Sequence, residues 1–144
     1  MRELTPAEID DLLRRQAVGR IGCHAEGVTY VVPVIYAYEA GAIYVATIEG
    51  QKMRMMRSNP RVCFEVDEYE RQGAWQSAIV QGLAEELEGP GVEAARTVLA
   101  RRFSGGSRSG AGCGQAVWLR IRVLEVTGRA VSRDPAAAEH RLRR

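Results

Sequence analysis

The chain has 144 residues, a hydrophobic fraction of 46% and a formal charge of +2. One domain of this size buries roughly two-thirds of its unfolded surface, so neither a metal nor a disulfide is needed to hold it. The charge is too small to argue for nucleic acid, and the arginines alternate with acids rather than forming a broad patch; no apolar run is long enough to span a bilayer as a helix.

Thr5-Pro6-Ala7-Glu8 opens a helix. Thr5 caps it, Pro6 fits the first helical position and Glu8 closes a capping box. Ile9, Leu12 and Leu13 form its apolar stripe, and the helix ends near Gln16. A strand over Val18 to His24 follows, then the turn Ala25-Glu26-Gly27. Val28 to Tyr38 is rich in valine, isoleucine and tyrosine and reads as a strand. Pro33 inside it marks an edge or a bulge, because proline cannot donate to a ladder. Glu39-Ala40-Gly41 turns the chain into a strand over Ala42 to Thr47.

Glu49 to Arg57 reads as a short helix stopped by Ser58-Asn59-Pro60. Arg61 to Asp67 is a strand and Glu68 to Gly73 a polar loop. Ala74 to Leu87 is a long strand with a bend expected at Gly82. Gly89-Pro90-Gly91 breaks it, and Val92 to Phe103 is helical, with Val92, Ala95, Val98, Leu99 and Phe103 near one face. Ser104 to Gly114 is a glycine- and serine-rich loop, read as mobile. Ala116 to Thr127 is the last strand, and Trp118 is read as a core residue. Six or so strands joined by tight turns predict a mainly β fold, a closed or nearly closed antiparallel barrel plugged or flanked by a few helices. The domain is taken as residues 1–130, with a basic tail over 131–144.

The cysteines Cys23, Cys63 and Cys113 are too widely spaced for a zinc site, and an odd number argues against a disulfide framework. A reducing cytoplasm is the expected compartment. Cys23 and Cys63 fall in apolar strands and are read as core. No catalytic triad, paired metal-spaced histidines or nucleotide P-loop appears. An enzyme built this way would leave the chemistry to a cofactor. Of 20 basic side chains only Lys52 is lysine. Placed where a strand meets a helix, its ammonium can reach a phosphate as a compact charge.

Three segments carry a resemblance: Tyr30-Val31-Val32-Pro33-Val34-Ile35-Tyr36, then Ile43-Tyr44-Val45-Ala46-Thr47-Ile48-Glu49-Gly50-Gln51-Lys52, then Asn59-Pro60-Arg61-Val62-Cys63-Phe64. Their order resembles the pyridoxamine 5′-phosphate oxidase-like superfamily of FMN-binding split β-barrels, and within it the nitroimidazole-resistance (Nim) branch. Trp75-Gln76-Ser77 resembles the next segment of that family.

The resemblance implies a six-stranded split barrel that forms a homodimer, with FMN sites at the subunit interface. It places Val32, Pro33, Val34 and Ile35 along the flavin ring. Thr47, Gln51 and Lys52 fall near the cofactor phosphate, with Gly50 allowing close approach, and Val45 and Ala46 are also taken as cofactor-binding. Trp75 and Ser77 would reach the cofactor edge from the neighbouring subunit. The function it implies is FMN-dependent oxidoreduction of a small organic acceptor, such as a nitro compound. Flavin binding without turnover, and a barrel holding haem or deazaflavin, are the alternative readings. Two departures stand out. Gln51 occupies the position of an arginine in the oxidases, with Arg54 or Arg57 as a candidate replacement for its charge. Val45 replaces the histidine that many Nim proteins carry.

Overall fold

The computed structural model describes residues 1–70, 73–103 and 115–132. Their order is β1 (Arg2–Glu3), α1 (Pro6–Arg15), β2 (Val18–Ala25), β3 (Val28–Glu39), β4 (Ala42–Thr47), α2 (Gln51–Ser58), β5 (Arg61–Tyr69), β6 (Trp75–Glu86), α3 (Pro90–Arg102) and β7 (Val117–Val131). The expected mobile loop, Cys113 and most of the basic tail lie outside the described residues.

The sheet runs β1-β7-β4-β3-β2-β5-β6, and β6 returns to pair with β7. Six strands therefore close into an antiparallel barrel, with β1 added on β7. Two tight hairpins set the register of the first half. Glu26 and Gly27 have φ of 53° and 78°, and Ala40 and Gly41 have 53° and 74°. Positive φ at both central residues is the two-residue turn that matches strand twist.

The core fills the barrel. Ile21, Tyr36, Ile43, Val45, Phe64, Val66, Val80, Leu119 and Ile121 alternate inward along their strands. Two helices complete that core. Ile9, Leu12 and Leu13 of α1 join it, and so do Met53, Met55 and Met56 of α2. The capping box of α1 is formed, with the Glu8 N–H donating to Thr5 Oγ1 and the Thr5 N–H to Glu8 Oε1. The third helix, α3, packs against β3, β4 and β7 from outside.

Several boundaries differ from those read from sequence. Glu68 and Tyr69 extend β5, because they pair with Gln76 and Trp75 of β6. The bend expected near Gly82 is present as a shift of register against β7: Gln81 pairs with Glu125, but Gly82 pairs with Val123. Leu124 is the extra residue, so the bulge belongs to β7.

Pro33 marks an edge and not a bulge. Its pairing with Arg20 lies within an unbroken register from Val18–Ile35 to Ala25–Val28. On its other side β3 meets β4 only over Tyr36 to Glu39. Among the described residues, no strand pairs with that side of residues 28–35, and this is the split in the barrel. Trp118 is also corrected. It is out of phase with the buried Leu119 and Ile121, so its half-buried indole lies on the outer surface.

Candidate functional site

The split exposes backbone, and parity decides which groups. The Tyr36 N–H donates to the Ala17 carbonyl at 3.1 Å. Hydrogen-bonded and non-bonded pairs alternate along an antiparallel ladder. The backbone groups of Val31, Pro33 and Ile35 therefore point away from β2, into the split. A proline is tolerated there because its missing N–H would have faced the open edge. The carbonyls of Val31 and Pro33 and the N–H of Val31 lie beyond the end of the β3–β4 ladder and are available to a planar ligand.

Side chains divide by the other alternation. Val34 and Tyr36 point into the core, whereas Val31 is 63% exposed and Ile35 55%. Val32 is half-buried against the core and Pro33 is exposed.

The far wall of the split is the end of β4 and the start of α2. Ala46 and Thr47 pair with Trp118 and Val117 of β7 but with nothing on β3. Both are half-buried, and Gly50 then leads into Gln51 and Lys52. No side chain caps α2, so its first N–H groups have no side-chain acceptor and face an anion favourably. Lys52 is half-buried beside β2. Burial raises the Cys23 thiol, and the Lys52 charge pulls it back down. Cys23 pairs with Tyr30, so Lys52 stands at the end of the split that Tyr30 and Val31 form. Val32, Pro33, Ile35, Ala46, Thr47, Gln51 and Lys52 are thus gathered around one opening.

Val45 does not join them. Its side chain is 0% exposed within the core, and its backbone lies between β3 and β7. A histidine in its place would be enclosed by apolar side chains. Val34 does not join them either: its side chain is buried, and by the same alternation its backbone groups face Gly19 of β2. Arg57 is no substitute for the missing arginine at Gln51. Its guanidinium forms two 2.9 Å bonds to Glu86 and a third to Glu49. Both carboxylates are held below their usual range by that guanidinium. Arg54 is exposed and forms no ion pair among the described residues.

Trp75 and Ser77 are elsewhere. They lie on β6 opposite Tyr69 and Asp67, separated from β3 by the two strands β2 and β5. Ser77 faces the same open outer surface as Ile35, through the row Ile35–Val18 on β3–β2 and Asp67–Ser77 on β5–β6. A single chain does not bring them to Lys52.

That outer surface was not anticipated from sequence. Val18, Val31, Ile35 and Ile79 are exposed on it. Near its centre Arg20 bridges Glu65 at 3.0 Å and Asp67 at 3.4 Å. Burial and the neighbouring Asp67 carboxylate push Glu65 up from the usual carboxylate range, against the pull of Arg20. Cys63, read as core, is a half-buried free thiol on this surface, whereas Cys23 is buried. The signal that separates them is alternation: Val62, Phe64 and Val66 point inward, which turns Cys63 and Glu65 to the outside.

A barrel of this topology, split beside a helix that begins with an uncapped turn, defines a class of ligand-binding split barrels. The chain belongs to the pyridoxamine 5′-phosphate oxidase family, a family of flavin-binding split barrels, which it matches over residues 5–130. It is similar to the FAD-binding protein of Mesorhizobium loti, with 34% identity, a TM-score of 0.77 and coverage of 91% of this chain and 98% of that one. A structure named for 5-nitroimidazole antibiotic resistance, from Bacteroides thetaiotaomicron, shares the fold at 22% identity and a TM-score of 0.75, covering 90% of this chain and 86% of that one. An uncharacterized protein of Rhizobium meliloti (strain 1021) is 30% identical over 87 residues, 60% of this chain and 58% of its own. The match thus spans less than two-thirds of that relative's length. No helix among the described residues is long and apolar enough to cross a membrane.

Proposed function

We propose that this chain binds a flavin in the split, as a homodimer, and serves as an oxidoreductase acting on a small organic acceptor. The observation that carries this reading is the unpaired edge of β3 facing the uncapped start of α2 and Lys52. A flat ring meets backbone acceptors at Val31 and Pro33 and a donor at Val31. A phosphate meets the amides of α2, the Thr47 hydroxyl and the only lysine of the chain. FMN contains both parts. The relative named FAD-binding supports a flavin ligand and raises FAD beside FMN as its form.

The residues of the split bind and orient; none is an acid or base placed for proton transfer. Val32 and Ile35 exclude water from the ring's edge. Gly50 lets the backbone approach a phosphate closely, since nothing lies within 4 Å of a Cβ built there. The open surface of β3, β2, β5 and β6 is where a second copy docks, and the half-buried Trp75 and Ser77 of that copy close the site. When bound, the flavin supplies the electron or hydride transfer.

The test is to denature the purified protein and identify what is released. Flavin is expected, and Lys52→Ala should weaken its binding tenfold to a hundredfold, the value of one charge-assisted contact at about 1.5–3 kcal/mol. Release of haem, or unchanged flavin affinity in that variant, would overturn the assignment. Steady-state oxidation of a reduced nicotinamide by the loaded protein separates an enzyme from a flavin carrier.

A further inference from the structure

A second recess opens on the other side of β4. It has a volume of about 360 Å³ and is lined by Glu49, Arg57, Glu86, Val92, Val117 and Trp118, among others. That size lies within the roughly 300–1,000 Å³ usual for small-molecule sites. Its position relative to the split follows from the chain. Val117 is the register partner of Thr47, and Glu49 immediately precedes Gly50. The start of α2 therefore stands between the recess and the split, accessible from both.

The lining has a definite chemistry. Trp118 contributes its indole to the lining, and the guanidinium of Arg96 stands 5.0 Å from the ring centroid. Arg96 is exposed on α3, so its side chain can move aside and then lie over an inserted ring. Val92 and Leu87 add apolar wall. Glu49 and Glu86 share the one guanidinium of Arg57, leaving a net charge of −1 from the three and free carboxylate lone pairs. Such a lining suits a flat heterocycle that stacks, with hydroxyl or amine donors for the carboxylates. It repels further phosphate.

We propose that this recess holds the adenosine half of a flavin dinucleotide, so that the bound form is FAD. This rests on the flavin reading above. The pyrophosphate lies at the α2 start with Lys52, the flavin ring runs along β3 on one side, and the adenine stacks on Trp118 on the other. The ribose hydroxyls donate to Glu49 or Glu86. Arg57 fixes both carboxylates and so acts as a positioning residue.

The experiment compares FAD and FMN binding to the flavin-free protein by quenching of flavin fluorescence. FAD should bind at least tenfold more tightly. Trp118→Ala should remove that advantage and leave FMN affinity unchanged. Ala116→Trp, which fills the recess from the strand approaching it, should do the same without deleting a packed side chain. Equal affinity of the unaltered protein for FAD and FMN would overturn the assignment and leave the flavin reading standing. If neither flavin binds, both fall. An FAD preference that survives both variants places the adenosine elsewhere and rejects the recess.

Discussion

The Tyr36 hydroxyl donates a 2.6 Å hydrogen bond to the carbonyl of Leu13, and both side chains are buried. Leu13 lies in the last turn of α1, where carbonyls have no partner within the helix. The bond thus ties the helix end to the strand that forms the split. The Tyr36 ring also meets Phe64 edge-on at a centroid distance of 4.9 Å. Tyr36→Phe keeps the ring but leaves the Leu13 carbonyl unpaired in the core. A loss of about 1–3 kcal/mol is expected, measured by denaturant unfolding with an unchanged m-value. Burial drives the Tyr36 hydroxyl far above its ordinary value, so this bond should persist well into the alkaline range.

Gly82 marks the position at which β6 and β7 change register. A Cβ there would lie 2.7 Å from Ile121 Cγ2 and 2.8 Å from the Arg122 carbonyl. The second contact is backbone, which has little room to yield. Gly82→Ala should cost about 1–3 kcal/mol by overpacking and should shift the bulge at Leu124. Thermal unfolding measures the first effect. Amide exchange along residues 119–127 measures the second, and protection as strong as in the unaltered protein would rule the bulge shift out.

Much of this architecture was legible from local signals. Capping at Thr5, the positive-φ turns at Gly27 and Gly41, and the stop at Asn59-Pro60 each act within a few residues, so sequence locates them. Pairing between distant strands leaves no such mark. Pro33 was ambiguous because a proline suits an edge and a bulge equally, and only the shortness of the β3–β4 ladder distinguishes them. Trp118 looked apolar enough for the core, but its phase against Leu119 and Ile121 turns it outward. The lone lysine and the order of the three motifs pointed to the split. The tie of Arg57 to Glu86 spans 29 residues and could not be read from them.

The α1 capping box predicts a definite acid response. Glu8 accepts from the Arg2 guanidinium and from the Thr5 N–H, which lowers its carboxyl to about 2. A depressed folded value means that its stabilising contribution is present above the ordinary carboxylate value. It is lost as pH falls from about 4.5 towards 2. The stability difference between the protein and its Glu8→Gln variant should therefore be constant near neutrality and shrink through that window. A difference that stays flat down to pH 2 would show that Glu8 stabilises through its neutral form. Thr5→Ala removes the other half of the box and should cost about 1 kcal/mol at neutral pH.

The open surface predicts the opposite sign. Glu65 is raised above its ordinary value by burial first and then by Asp67. The folded chain therefore holds a proton on Glu65 more tightly than the unfolded chain does. Its ionised form is destabilising at all pH above the folded value, and that penalty is relieved as pH falls towards the unfolded value. Glu65→Gln should stabilise the fold at neutral pH and flatten its mildly acidic pH dependence. Docking of a second copy on this surface would bury Arg20, Glu65 and Asp67 further, beside Ile35 and Val18. The same variant should then favour the dimer at neutral pH, whereas Ile35→Glu should weaken it by placing a third carboxylate among them. Sedimentation equilibrium at neutral and mildly acidic pH reads both changes. A monomer–dimer equilibrium indifferent to both substitutions would move the interface off this surface.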